Sequence, residues 1–190
     1  MNIIYLLFHG LSPYSGISKK ILHQVKGFEA CGHRVSLCTY SIADNGHRVR
    51  MINNEIIEDY GTGKPAAAKR RVSYQCIYRY AITHQVELIY VRSFHNANPF
   101  TIRLFSKLRK AGIKIAMEIP TYPYDSEYAG FPLVTRLGIQ VDKVFRKTLA
   151  KHVNAIVTFS DYHCIFGQRT IQISNGVDFD SIPLKKTVSK

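Results

Sequence analysis

Ile3-Ile4-Tyr5-Leu6-Leu7-Phe8 is a continuous apolar run, followed at once by His9-Gly10, and it reads as a buried strand. Beyond it, Ile17, Ile21, Val25 and Phe28 recur at three- and four-residue steps, the spacing of a helix face. Val35 and Leu37, within Arg34 to Thr39, mark a second strand. Strand, helix, strand is therefore the unit, and the chain repeats it. Helical spacing runs from Pro65 to about Gln85 through Val72, Cys76 and Tyr80, and Leu88 to Val91 is the next strand. Pro99 opens a helix through Leu104, Phe105 and Leu108 that Ala111-Gly112 stops, and Ile113 to Ile119 returns as strand. Val134, Leu137, Val141, Val144 and Phe145 give the clearest amphipathic helix, with these residues on its apolar face; Ala155 to Phe159 and Ile171 to Ile173 close the series. Strands apolar on both faces and alternating with helices predict an α/β fold: a mainly parallel sheet between two helix layers, because each crossover returns along a helix. One excursion interrupts it, a small hairpin of Val49 to Ile52 and Glu55 to Tyr60 turned at Asn53-Asn54.

The 190 residues suit about one domain and a remainder, and 46% hydrophobic content is ordinary for a globular chain. The opening apolar run is far below the roughly 18 to 20 residues of a membrane span, and no Lys or Arg precedes it as in a secretory signal. Four scattered cysteines without a C-x-x-C spacing make no disulfide framework, which places the chain in a reducing, cytoplasmic setting. The charge is the least ordinary feature. Twenty-six Lys and Arg against 13 Asp and Glu leave +13, which draws the protein toward phosphates, nucleic acid or an acidic membrane surface.

In an open parallel sheet ligands bind beyond the carboxyl ends of the strands, so the loops after each strand carry the functional reading. Ser15 and Gly16 precede the first helix, where backbone N–H groups meet a phosphate; the alternative is a helix cap and a turn glycine. No G-x-G-x-x-G and no P-loop is present. Arg92 and His95 follow a strand, as phosphate or acceptor contacts or as an ordinary surface pair. The loop from Glu118 to Glu127 is the densest, with Glu118, Asp125 and Glu127 as carboxylates, Tyr122 and Tyr124 as stacking rings, and Pro120 and Pro123 as stiffeners. Carboxylates accept paired bonds from sugar hydroxyls, tyrosines stack on pyranose faces, and one carboxylate can serve as general base. The alternative is that these acids cap the next helix or pair with a nearby arginine. Cys31, His33 and Cys38, or His152, His163 and Cys164, lack metal-ligand spacing, so no metal is expected.

Several segments together resemble the N-terminal domain of the family 4 retaining glycosyltransferases of GT-B architecture. They are Tyr14 to Lys20 with Gly32 to Val35, Leu88 to Arg92, Glu118-Ile119-Pro120-Thr121-Tyr122-Pro123-Tyr124-Asp125-Ser126-Glu127, Ile156 to Ser160, and Ile173-Ser174-Asn175-Gly176-Val177-Asp178. The resemblance implies a Rossmann-like acceptor-binding domain over 1–174, half of a GT-B fold, with 175–190 starting the linker to a donor-binding domain that is absent here. It implies transfer of a sugar, with retention, from a nucleotide-sugar to a glycan or lipid-linked acceptor, needing no cofactor and no metal, and an isolated half without activity. Ser15 and Gly16 then stand on the donor-phosphate side, Arg92, His95, Tyr122 and Tyr124 on the acceptor side, and Glu118, Asp125 and Glu127 as the catalytic carboxylates. Lipid-linked acceptors would make the basic helices a means of attachment to the inner face of an anionic membrane. The competing reading is a non-enzymatic basic module for nucleic acid; no recognition motif for one is present, so nucleic acid is not the expected partner.

Overall fold

The structure, a computed structural model, describes residues 1–12, 14–93, 96–123 and 133–174. Elements follow in the order β1 (Asn2–Leu6), α1 (Gly16–Ala30), β2 (Arg34–Ile42), β3 (Arg48–Ile52), β4 (Glu55–Asp59), α2 (Gly63–Val72), α3 (Gln75–Thr83), β5 (Leu88–Arg92), α4 (Pro99–Lys110), β6 (Lys114–Ile119), α5 (Leu133–Ala150), β7 (Ala155–Thr158), β8 (Cys164–Ile165) and β9 (Gln168–Gln172). The linker expected over 175–190 lies outside the described residues.

The strands form one sheet in the order β4-β3-β2-β1-β5-β6-β7-β9-β8. Neighbours from β2 through β9 pair parallel, and β3, β4 and β8 add antiparallel strands at the two edges. The expected α/β, Rossmann-like three-layer fold is the one observed. The hairpin forms where Asn53-Asn54 allows it, both residues left-handed at φ 48° and 70°, the geometry of a tight two-residue turn. A second hairpin, β8 to β9, turns on Phe166-Gly167 and carries no turn dipeptide that the sequence reading recognised.

Period-two alternation divides the sheet residues between two cores. Ile4, Leu6, Ile89, Val91, Ile115 and Met117 face α3, α4 and α5 in the larger one, with Ile77, Phe105, Leu108 and Leu149 opposite them. Ile3, Tyr5 and Tyr90 face α1, which contributes Ile21, Val25 and Phe28. The central strands are thus apolar on both faces, as expected, down to their carboxyl ends. The α1 side also carries Arg92 and Glu118, tolerated there because each buried polar atom finds a partner, as shown below.

Two helices differ from the periodic reading. The single run Pro65 to Gln85 breaks into α2 and α3 because Ser73 is extended and Tyr74 turns into the core, its hydroxyl donating to the Arg71 carbonyl at 2.7 Å. In α5 the expected apolar stripe divides, with Phe145 packed against the larger core and the Val134 side chain outside the described residues. Leu137, Val141 and Val144 face outward, while Ile139, Asp142, Leu149 and Ala150 are buried. Asp142 is kept inside because its carboxylate accepts the Ala97 N–H at 2.8 Å, joining α5 to the segment that leads into α4. No helix among the described residues is long and apolar enough to cross a membrane.

Candidate functional site

β1 lies between β2 and β5, and the chain leaves it through α1 on one face while α4 departs from β5 on the other. That reversal is the topological switch point, where strand tips and helix ends splay apart and leave a crevice. Its first wall is built by Ser15, whose side-chain oxygen caps α1 by accepting the Ser18 N–H at 3.4 Å. Ser18 in turn accepts the Ser12 N–H at 2.9 Å, fixing the loop to the helix. Of the two readings of Ser15, the helix cap is therefore present in the structure. Gly16 is the first residue of α1, and a β carbon built there meets no atom within 4 Å. Gly10 is different: a β carbon on it would stand 2.8 Å from the Tyr40 carbonyl oxygen, so packing alone demands glycine at that strand tip.

The floor is a buried ion pair. Arg92, at the carboxyl end of β5, donates from Nη1 to Glu118 Oε1, and the register sets the two residues side by side on β5 and β6. Glu118 has no exposed surface. Its other oxygen accepts from the Tyr90 hydroxyl at 2.7 Å and from Gln24 Nε2 of α1 at 2.8 Å, and Gln24 Oε1 accepts from the Tyr5 hydroxyl at 2.6 Å. Burial, reinforced by the Glu118 charge, pushes the Tyr5 and Tyr90 phenols well above their ordinary range, so both remain donors. The network ties α1 to three strands. It also shows Glu118 paired with an arginine, the alternative reading for this carboxylate, and closed to solvent on every side.

Lys20, one turn into α1, stands above this floor with its ammonium 3.4 Å from the centroid of the Phe159 ring. Partial burial lowers its pKa, while the Glu118 charge raises it, so it lies within electrostatic reach of the ion pair. At about 1.5 Å per residue, the eight residues from Gln24 back to Gly16 carry the start of α1 about 12 Å past the Glu118 level. Two turns of α1 thus rise beyond this floor, and two cations lie beside them, Lys20 and the buried Arg92. Tyr122, just beyond β6, is half-buried and packs against the larger core on the other face, with its N–H donating to Ser160 Oγ at 2.9 Å and its ring edge-on to Tyr162 and Phe166.

Of the residues expected at the site, Ser15, Gly16, Arg92, Glu118 and Tyr122 lie along this carboxyl edge of the sheet. His95, Tyr124, Asp125 and Glu127 lie outside the described residues. Sequence reasoning assigned no role to Lys20, Gln24 or Tyr90. Tyr90 and Gln24 sit in apolar-patterned elements, and only the register brings them to Glu118. Among the described residues no three His, Cys, Asp or Glu side chains gather as metal ligands. A groove of about 330 Å³ between α2, α3 and α4, lined by Ser73, Gln75, Tyr78, Phe100, Arg103 and Lys107, lies away from the strand tips. The candidate site is placed at the switch point, where the Arg92–Glu118 pair lies.

No family model, no curated protein and no solved structure matches this chain.

Proposed function

We propose that this chain is the acceptor-binding domain of a retaining, GT-B-type glycosyltransferase, and that the switch-point crevice is its share of the active site. The observation that carries the reading is Arg92, held by Glu118 at the end of β5 beside α1, whose Gln24 bonds the same carboxylate. A diphosphate leaving group needs cations and N–H donors already in place where its charge develops, and we assign these to Lys20 and the open Gly16 end of α1, with the buried Arg92 as a positive charge behind them. In the transfer, an acceptor hydroxyl oxygen bonds to the anomeric carbon, the bond from that carbon to the diphosphate breaks, and the hydroxyl proton leaves with the diphosphate. Asp125 and Glu127 are the carboxylates proposed to orient the acceptor, with Tyr122, Tyr124 and His95 beside it. Glu118 acts through Arg92 as a positioning residue, since it has no surface of its own to offer.

Titration of the ¹⁵N-labelled chain with uridine diphosphate and with a panel of glycosides tests this. Amide shifts at Gly16, Ile17, Ser18 and Ser93, weakened in Lys20→Ala, are expected. Saturable shifts confined to other surfaces, or none with any saccharide or nucleotide, would remove the crevice from consideration. The chain alone is expected to show no sugar transfer.

A further inference from the structure

We infer that Arg48, Arg50 and Arg70 form a binding site for a phosphate monoester or free phosphate, on the face of the sheet turned away from α1. Strand β3 runs antiparallel to β2, so its first residues stand beside the carboxyl end of β2, and the register pairs Arg50 with Tyr40. Arg48 and Arg50 alternate on one side of β3, about 7 Å apart along the strand. That side is the one on which Cys38 and Ile52 join the larger core. Arg70 arrives from α2. Of the basic residues in the last turn of that helix, Lys69 and Arg71 are exposed, whereas Arg70 turns inward, its guanidinium carbon 4.2 Å from the centroid of the Tyr40 ring. The Tyr40 hydroxyl accepts from Arg48 Nη1 at 2.7 Å, so the three arginines meet around one tyrosine.

No carboxylate of the described chain answers these charges. Arg50 is 1% exposed; its Nη1 donates to the Leu7 carbonyl at 2.7 Å, but its Nε is buried without a partner, and so is that of Arg70. Among the described residues no acid lies within ion-pair distance of Arg48, Arg50 or Arg70. Glu58, opposite Arg50 on β4, stands 4.0 Å from Lys69 instead, and Asp59 pairs with His47 at 2.8 Å. The groups within electrostatic reach of Arg50 are Cys38, Tyr60 and Cys76, and burial raises the pKa of all three, so they stay neutral. Burial lowers the Arg70 pKa, and the charges of Arg71, Arg48 and Arg50 lower it further against an opposing pull from Tyr40. The contrast with Arg92 is direct, since that buried arginine is given Glu118. A buried cation without a counter-charge is strongly unfavourable, and like charges held together add repulsion. A bound oxyanion relieves both.

Arg48 and Arg70 are half-buried, so an ion reaches them from solvent with Arg50 as a charge behind them. A phosphate monoester carries about −1.5 to −2 at neutral pH and three free oxygens, enough for a fork from each of several guanidinium groups. A carboxylate offers two oxygens and a single charge, and so does the phosphodiester of a nucleic acid. The cluster therefore favours the monoester. It lies on the opposite face of the sheet from Lys20 and Arg92, so this inference does not rest on the transferase reading.

The test is titration of the chain with inorganic phosphate, methyl phosphate and glucose 6-phosphate at constant ionic strength, with dimethyl phosphate and chloride as singly charged comparisons. Saturable shifts of the Arg50 and Arg70 Nε–H resonances in ¹⁵N spectra are expected with the first three. A melting temperature raised by roughly 5 °C or more is expected when the ligand stands a hundredfold above its Kd. Arg48→Gln and Arg70→Gln should each weaken binding about tenfold or more, with unchanged circular dichroism. Tighter binding of glucose 6-phosphate than of inorganic phosphate identifies an esterified ligand, and equal binding identifies the free ion; either supports the site. Absence of any Nε–H shift in the parent chain, a response confined to Gly16, Ile17 and Ser18, an equal response to dimethyl phosphate or chloride, or undiminished binding in both variants overturns the inference.

Discussion

Replacing Arg92 by Met tests whether the floor of the crevice is the buried ion pair described here. The substitution keeps most of the aliphatic volume and removes the one cation among the described residues that is bonded to Glu118, whose side chain is fully enclosed and cannot regain hydration. Removing one partner of such a pair costs about 3–5 kcal/mol, most of it the penalty of a buried unpaired charge. The bonds from Tyr90 and Gln24 to Glu118 remain and hold the loss near the lower figure. With a urea dependence of about 2 kcal/mol per molar, the unfolding midpoint should fall by roughly 1.5 M. Glu118→Gln should also destabilise, and the double variant should lose less than the two singles together by about 1–3 kcal/mol, because both ends of one interaction are gone. Urea titrations of the four proteins by circular dichroism supply the cycle. A midpoint for Arg92→Met within about 0.3 M of the parent, corresponding to well under 1 kcal/mol, or strict additivity in the double variant, would refute the assignment.

Other consequences follow from particular contacts. Gly10→Ala should destabilise by about 1–3 kcal/mol because its β carbon meets the Tyr40 carbonyl, whereas Gly16→Ala should leave stability equal or slightly raised while weakening diphosphate binding; thermal melts and the nucleotide titration separate the two. Cys38 and Cys76 are buried and Cys31 and Cys164 exposed, so alkylation of the native protein followed by mass mapping should label the second pair and spare the first. Burial pushes the Cys38 thiol up to about 12 and raises the Tyr5 and Tyr90 phenols, whereas in the unfolded chain these groups ionise near 9.0 and 10.0. Their contribution to stability is complete below pH 9.0 and is lost as pH rises toward about 12, so denaturant midpoints should decline over that window, and a flat profile would contradict the burial of all three.

Much of this architecture was legible from local pattern. The apolar run Ile3 to Phe8, the helix spacing of Ile17 to Phe28 and the stop at Gly112, where φ is 83°, each state their own conformation because steric and periodic constraints act within a few residues. Those constraints determined the order of elements, and with it the α/β class. What they left open depended on partners distant in sequence. Whether Glu118 meets solvent or Arg92 is decided by parallel register between β5 and β6, and Gln24 reaches it from 94 positions earlier in the chain. Likewise α5 offers two candidate faces, and periodicity favours the more apolar one. Only the bond from Ala97 to Asp142 and the packing against α4 turn the other inward, leaving Leu137, Val141 and Val144 outside. Periodicity records how apolar a face is; burial depends on what the rest of the chain brings to it.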